Sequence, residues 1–222
     1  MSATSPVAAP PKRRPEAALE AVQAGLADIG IVEEAAQGCR ACDLWARATR
    51  TVFGEGPVPA PLMLVGEQPG DREDREGQPF VGPAGAVLER ALEAAGIDRE
   101  QAFVTNVVKH FKWRPSGKRR LHERPNRSEV GACLPWVEAE LALVRPRALV
   151  LLGATAAAAL AGSGVSVMRD RGRPLDLPLA PLVMATVHPS SILRAGDGRE
   201  AAYEAFVRDL RIAARWLGRH AA

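Results

Sequence analysis

Four short apolar runs punctuate the chain: Pro61 to Val65, Ala102 to Val108, Ala148 to Leu152 and Pro181 to Val187. Runs of this length, bounded by Gly, Pro or charge, suit strands of a parallel sheet that is covered on both faces. The intervening stretches follow a longer period. Glu16 to Ala36 spaces Leu19, Val22, Leu26 and Ile29 as one helix ending near Gly38. Helices are likewise predicted from Ala84 to Ala95, stopped by Gly96, and from Arg127 to Val144 with Ser128 as N-cap. An Ala-rich helix runs from Gly153 to Gly162, and a last one from Arg199 to Leu217. Alternating strands and helices predict an α/β fold: a single three-layer domain, its central parallel sheet of about four strands carrying helices on both faces.

Composition agrees with one domain. The 222 residues are 47% apolar and 25% charged, without an internal repeat or a second compositional regime. No apolar run is long enough to span a membrane, and the longest is broken at Gly153. The opening MSATSPVAAPPKRRP lacks the apolar core of a signal peptide, so a cytoplasmic protein is expected, with residues 1–15 a disordered arm and residues 16–222 the folded domain. Three cysteines, Cys39, Cys42 and Cys133, are too few and odd in number for a disulfide framework. In a reducing compartment the Cys39-Arg-Ala-Cys42 pair, directly after a helix stop, reads either as two thiolate ligands on one tight turn or as two small buried residues.

Charge is unevenly placed. Lys109 to Arg127, KHFKWRPSGKRRLHERPNR, holds eight Lys/Arg against one Glu, a balance of +7 in a chain whose total is +3. Such a loop is suited to phosphates, with two histidines beside them; a solvated charge run is the alternative. A second informative stretch follows the first strand, GEQPGDREDREGQPFVGPAG, with Glu67, Gln68, Asp71 and Phe80. It lacks the GK[ST] of a P-loop and the GxGxxG of a dinucleotide site. If the strands are parallel, their carboxyl ends bring Glu67, Gln68 and Asp71, then Asn106, then His188 with Ser190 and Ser191 to one rim, from which the basic loop also leaves.

GEQPGDREDREGQPFVGPAG and HPSSILR resemble the two signature motifs of the iron–sulfur (family 4) uracil-DNA glycosylases, and the C-x2-C pair and TNVVK extend the likeness from about Gly38 to Trp216. Gln68, where that family has a small residue, and the inserted Lys118-Arg-Arg-Leu-His122 resemble the UdgX subgroup, which joins itself covalently to uracil-containing DNA through the histidine of a KRRIH loop; Leu121 replaces the Ile. The resemblance implies a protein that removes uracil from DNA. Phe80 would stack on the flipped base, Asn106 would read its Watson–Crick edge, Gln68 would add contacts, and His188 would donate to uracil O2 as charge develops there. Ser190, Ser191 and Arg194 would hold flanking phosphates, and Lys118, Arg119 and Arg120 would bind phosphate or anchor the loop. His122 would attack the sugar C1′ and stay attached, with Glu67 or Asp71 supporting its imidazole.

Those relatives use four cysteines; where the third is expected this chain has His110. The implied metal set is therefore Cys39, Cys42, His110 and Cys133 on a [4Fe–4S] cluster, a donor set that zinc also accepts. The partner implied is uracil-containing DNA, single-stranded by preference, bound by a monomer without a membrane. Two other readings stay open at this stage: a hydrolytic glycosylase in which His122 only touches DNA, and a metal-stapled nucleic-acid-binding module without chemistry.

Overall fold

The computed structural model describes residues 15–220. In chain order the elements are α1 (Pro15–Gln23), α2 (Ile29–Gln37), β1 (Leu62–Gly66), α3 (Asp71–Glu76), α4 (Pro83–Ala95), β2 (Ala102–Asn106), β3 (Trp113–Ser116), β4 (Arg119–His122) and α5 (Arg127–Val144). They continue with β5 (Ala148–Leu152), α6 (Ala154–Leu160), α7 (Val167–Asp170), β6 (Pro174–Leu175), β7 (Leu182–Thr186), α8 (Pro189–Leu193) and α9 (Arg199–Arg219). The main sheet has the order β2-β1-β5-β7-β6, and the first four of these strands run parallel. The expected parallel strands are thus present. A fifth was not anticipated, because β6 is a two-residue antiparallel edge strand on β7, too short to leave a pattern.

Burial on both faces explains why the strands read as unbroken apolar runs. Met63, Val65, Phe103, Leu149, Leu151 and Val183 face one layer, where α1, α2, α5 and α6 pack. Leu62, Leu64, Val104, Val150 and Met184 face the other, against α4, α8 and α9. Among the described residues no helix is long and apolar enough to cross a membrane.

Three local expectations change. Glu16 to Ala36 is two helices, not one: Gly25 takes a φ of 70° between them, and Asp28 caps α2 by accepting from the Ile31 N–H at 2.9 Å. Leu26, counted as a core position, is 71% exposed in that break. The α5 cap is Asn126, not Ser128; Asn126 accepts from the Glu129 N–H while Glu129 accepts from the Asn126 N–H, a reciprocal capping box. Of the expected arm, residues 1–14 lie outside the described residues, and Pro15 already opens α1.

The basic stretch is not an open loop either. β3 and β4 pair antiparallel as a hairpin, with Trp113 opposite His122, around Gly117 at φ 58°. Its first cation, Lys109, lies in the core. The Lys109 Nζ donates to Glu140 Oε2 (2.7 Å), Thr105 Oγ1 (2.6 Å) and the Asn106 carbonyl (2.9 Å), and both charged side chains are fully buried. Glu140 also accepts from the Gly54 N–H and the Thr105 hydroxyl, each at 3.0 Å. Burial pushes its carboxyl pKa up, and the neighbouring ammonium pulls it back. A buried pair is costly to break from one side only. Glu140→Ala is expected to cost about 3–5 kcal/mol in denaturant unfolding, and Lys109→Met with Glu140→Leu distinctly less; equal losses would contradict this account.

Candidate active site

The sheet order brings the carboxyl ends of β1, β2, β5 and β7 side by side. Gly66 pairs with Asn106 across β1 and β2, and the N–H groups of Val107 and Val108 bond back to the carbonyls of Gly66 and Glu67 at 2.9 and 3.0 Å. Asn106, Phe80 and His188 close in on Gly66 and form a narrow slot there. A Cβ placed on that residue would strike Asn106 Oδ1, meet the Phe80 ring at 2.8 Å and come within 3.4 Å of His188 Nε2. Three side chains from distant parts of the sequence therefore crowd one backbone position, which admits no side chain of its own. Phe80 has a φ of 58°, and its carbonyl lies where Gly85 would carry a Cβ, so the α4 glycine permits the close approach. The Phe80 and His188 rings are stacked 6.1 Å apart at 27°.

Asn106 is 3% exposed, and its Oδ1 has no hydrogen-bond partner. An unpartnered buried acceptor is expensive to maintain and calls for a donor from a ligand. His188 supplies a donor. Its Nδ1 accepts from the Ser190 N–H at 3.2 Å, so the ring proton resides on Nε2, which faces the slot. Burial, then the nearby His122 and Arg194, hold its pKa down at about 4, so the ring is neutral at pH 7. Ser190 Oγ also lies 2.9 Å from His188 Nδ1, and the Ser191 hydroxyl donates to the His188 carbonyl at 2.8 Å. Both hydroxyls expected on phosphates are turned toward the histidine, while Arg194 is exposed beyond them.

His122, the last residue of β4, is held by Gln68. The Gln68 carboxamide accepts from the Lys112 N–H at 3.0 Å and donates to the Glu123 carbonyl at 2.9 Å, which fixes its orientation. Its NH2 group then faces His122 Nε2 at 2.8 Å, so that nitrogen is the unprotonated one. Burial lowers the His122 pKa, Glu67 opposes the shift and Arg194 adds to it. Glu67 Oε1 lies 3.5 Å from His122 Nε2. Asp71, named beside Glu67 as a support for this ring, is turned away from it: Asp71 pairs with Arg120 and Arg75. Arg120 spans Asp71, Asp74 (2.6 Å) and Thr49 (3.1 Å), with its guanidinium over the rings of Phe111 and Trp113 at 5.5 and 5.4 Å. It is a latch on the hairpin.

The charge excess is mostly countered inside the protein. Lys112 pairs with Glu129, Arg114 with Glu123, and Arg124 approaches Glu67 at 3.7 Å, in addition to the Lys109 and Arg120 pairs. Lys118 and Arg119 stand exposed at the hairpin tip, without an ion-pair partner among the described residues.

Cys39 and Cys133 are buried in the core layer that contains α2 and α5, and Cys42 packs against it. The Lys109 N–H donates to Cys133 Sγ at 3.2 Å, and Trp136 Nε1–H to Cys39 Sγ at 3.3 Å. Burial pushes the Cys133 thiol up to about 12, Lys109 opposes, and Cys39 and Cys42 push it further. His110 lines a polar cavity of about 440 Å³ with Cys39, its Nε2 3.1 Å from Thr51 Oγ1. Among the described residues no three His, Cys, Asp or Glu are gathered around one point that could hold a single metal ion.

Comparison with known proteins assigns the family. The profile of the Uracil DNA glycosylase superfamily matches residues 53–211. The chain belongs to that superfamily. It is 39% identical over 165 residues to the type-4 uracil-DNA glycosylase of Thermotoga maritima, covering 74% of this chain and 82% of that protein. It is 36% identical over 174 residues to the type-4 enzyme of Pyrobaculum aerophilum, at 75% and 85% coverage. Within this glycosylase fold the strand end that sequence reasoning passed over is that of β5, which lies between β1 and β7. It contributes Gly153, where a Cβ would meet His188 Cβ at 2.9 Å, and Thr155, whose hydroxyl bonds Glu67. Lys112 and Arg124 were also missed as site residues.

The neutral His188 has a consequence for acid stability. Its pKa is about 4 when folded and roughly 6.5 when unfolded. Between these values the unfolded chain binds the extra proton, so the contribution is full above the unfolded pKa and lost as pH falls toward 4. Denaturant unfolding from pH 7 to pH 4.5 should show stability falling with a component of up to about 1.4 kcal/mol per pH unit. That component should be missing in His188→Gln; identical slopes would refute it.

Proposed function

We propose that this protein excises uracil from DNA and captures the resulting sugar on His122. The observation that carries the excision is the unpartnered Asn106 Oδ1 beside Gly66, which the Phe80 and His188 rings also face. Uracil offers N3–H to that oxygen and O4 to the Asn106 amide. Cytosine offers neither, since its N3 has no hydrogen and its exocyclic group is a donor. Phe80 gives the base a face, which compensates part of the cost of unstacking. As the C1′–N1 bond breaks, its electron pair leaves with the base, and the charge on O2 meets the His188 Nε2–H. Because that imidazole is already neutral and fixed by Ser190, it needs no reorganisation; a donor of this kind contributes roughly 3 kcal/mol.

Capture follows from the state of His122. Its Nε2 is unprotonated and the ring neutral, so the lone pair can form a bond to C1′ once the Gln68 N–H gives up its place. The new imidazolium lies beside Glu67, and loss of the Nδ1 proton leaves a neutral alkylimidazole without a good leaving group. Lys118, Arg119 and Arg194 supply exposed charge for DNA phosphates, single-stranded DNA being the preferred substrate of a monomeric protein. Ser190 and Ser191 reach phosphate only through their backbone or after rotation. Arg120 is assigned to anchoring the hairpin.

A second reading has its own support: the named relatives are type-4 glycosylases, and in the free protein the His122 lone pair is already engaged by Gln68. Here water captures the sugar. Single-turnover incubation with uracil-containing single-stranded DNA, followed by denaturing electrophoresis, separates the two. The capture reading expects a heat- and detergent-stable band in the unmodified protein and free abasic strand, without adduct, from His122→Ser. An adduct that persists in that variant would remove His122 from the role.

Cys39, Cys42, Cys133 and His110 are the proposed ligands of a [4Fe–4S] cluster. Two of the sulfurs accept N–H bonds, as thiolate ligands of such a cluster do. When bound, such a cluster would pin the segment after α2 to β2 and α5. Purified protein should show a broad visible absorption that Cys133→Ser greatly weakens; a colourless protein holding stoichiometric zinc would overturn the assignment.

A further inference from the structure

The end of β5 does more than fill the space between β1 and β7. Thr155 is 7% exposed; rather than bonding its own helix, its hydroxyl donates to Glu67 Oε2 and accepts from Arg124 Nε at 3.1 Å. Its place is fixed by Gly153, which takes a φ of 92°, donates its N–H to the Thr186 carbonyl at 2.8 Å and leaves room for His188. One turn of chain therefore touches His188 and the carboxylate beside His122. With Oε2 held by Thr155, the other oxygen of Glu67 is the one directed to His122 Nε2 at 3.5 Å. Without that hydroxyl, the nearest cation to Glu67 Oε2 is Arg124, 3.7 Å away with a side chain 65% exposed. A freed carboxylate would turn outward to it, away from the slot.

We infer that Thr155 is a positioning residue: its hydroxyl holds the Glu67 carboxylate where the deoxyribose cation is intercepted, and so sets how often interception ends on His122. The inference rests on the proposed capture by His122 for its product ratio, but not for the geometry beneath it. Thr155→Val keeps the shape and removes the hydroxyl, and Thr155→Ser restores it. Losing a hydrogen bond to a charged group is commonly worth about tenfold or more. Under single turnover on uracil-containing single-stranded DNA, Thr155→Val should shift the ratio of adduct to free abasic strand about tenfold toward the free strand, and Thr155→Ser should return it. A product ratio does not depend on how much of a variant is folded, so simple destabilisation leaves it unmoved.

The sharper measurement is a double-mutant cycle. In a Glu67→Gln background, Thr155→Val should change nothing further, because the hydroxyl acts only through that side chain. A ratio unchanged by Thr155→Val, no recovery with Thr155→Ser, or additivity with Glu67→Gln would each overturn the inference. Should the unmodified protein yield only free abasic strand, the capture reading fails by itself. The same cycle is then read on the rate of uracil release, where non-additivity upholds the role of Thr155 and additivity refutes it.

Discussion

The carboxamide of Gln68 behaves as a piece of backbone. It accepts from the Lys112 N–H and donates to the Glu123 carbonyl, so it pairs with both strands of the hairpin where they leave the sheet, and its remaining N–H reaches His122. A hairpin of two four-residue strands is at best marginally stable alone. Here its register against the domain is fixed by one buried amide on one side and by the Arg120 pairs with Asp71 and Asp74 on the other. Everything proposed for His122 depends on those two attachments. A histidine on a free loop would sample many orientations and titrate as in water. On this hairpin it is oriented, neutral, and carries its lone pair on a known nitrogen.

Charge is used locally rather than as a diffuse field. Five of the eight cations between Lys109 and Arg127 face carboxylates, and one of those pairs is fully buried. Of the three left without a carboxylate, Lys118 and Arg119 stand exposed at the hairpin tip, where the proposed function has them approach phosphate, and Arg127 is exposed at the start of α5. The two imidazoles and Arg194 lie near one another, and each cation there disfavours protonation of its neighbours. On the proposed function, keeping both rings neutral leaves one free to donate as anionic charge appears, and the other free to supply a lone pair as cationic charge appears.

Much of this was legible in the order of residues. The parallel strands announced themselves as apolar runs because both faces are covered, and the shared rim followed from parallelism. The hairpin was hidden because its side chains are charged rather than alternately apolar, although Gly117-Lys118 between two four-residue segments is a tight-turn signal. Thr155 was hidden for another reason. Its role depends on β5 lying between β1 and β7, and strand order is a property of the crossovers, which no local pattern records. Asp71 was misplaced because spacing along a loop does not reveal that α3 begins there and turns the side chain toward Arg120.

The slot stores the cost of its own specificity. Asn106 Oδ1 is buried without a partner, Phe80 sits at a positive φ, and Gly66 gives up a side chain in a strand, where glycine is conformationally expensive. None of these stabilises the free protein; each is tolerated because the sheet, the Lys109–Glu140 pair behind Asn106 and the α4 glycine hold the backbone in place. A base that donates at N3 relieves the first cost, and one that cannot leaves it standing. On the proposed function, discrimination at this position arises less from attraction to uracil than from a penalty that only a correctly placed donor removes.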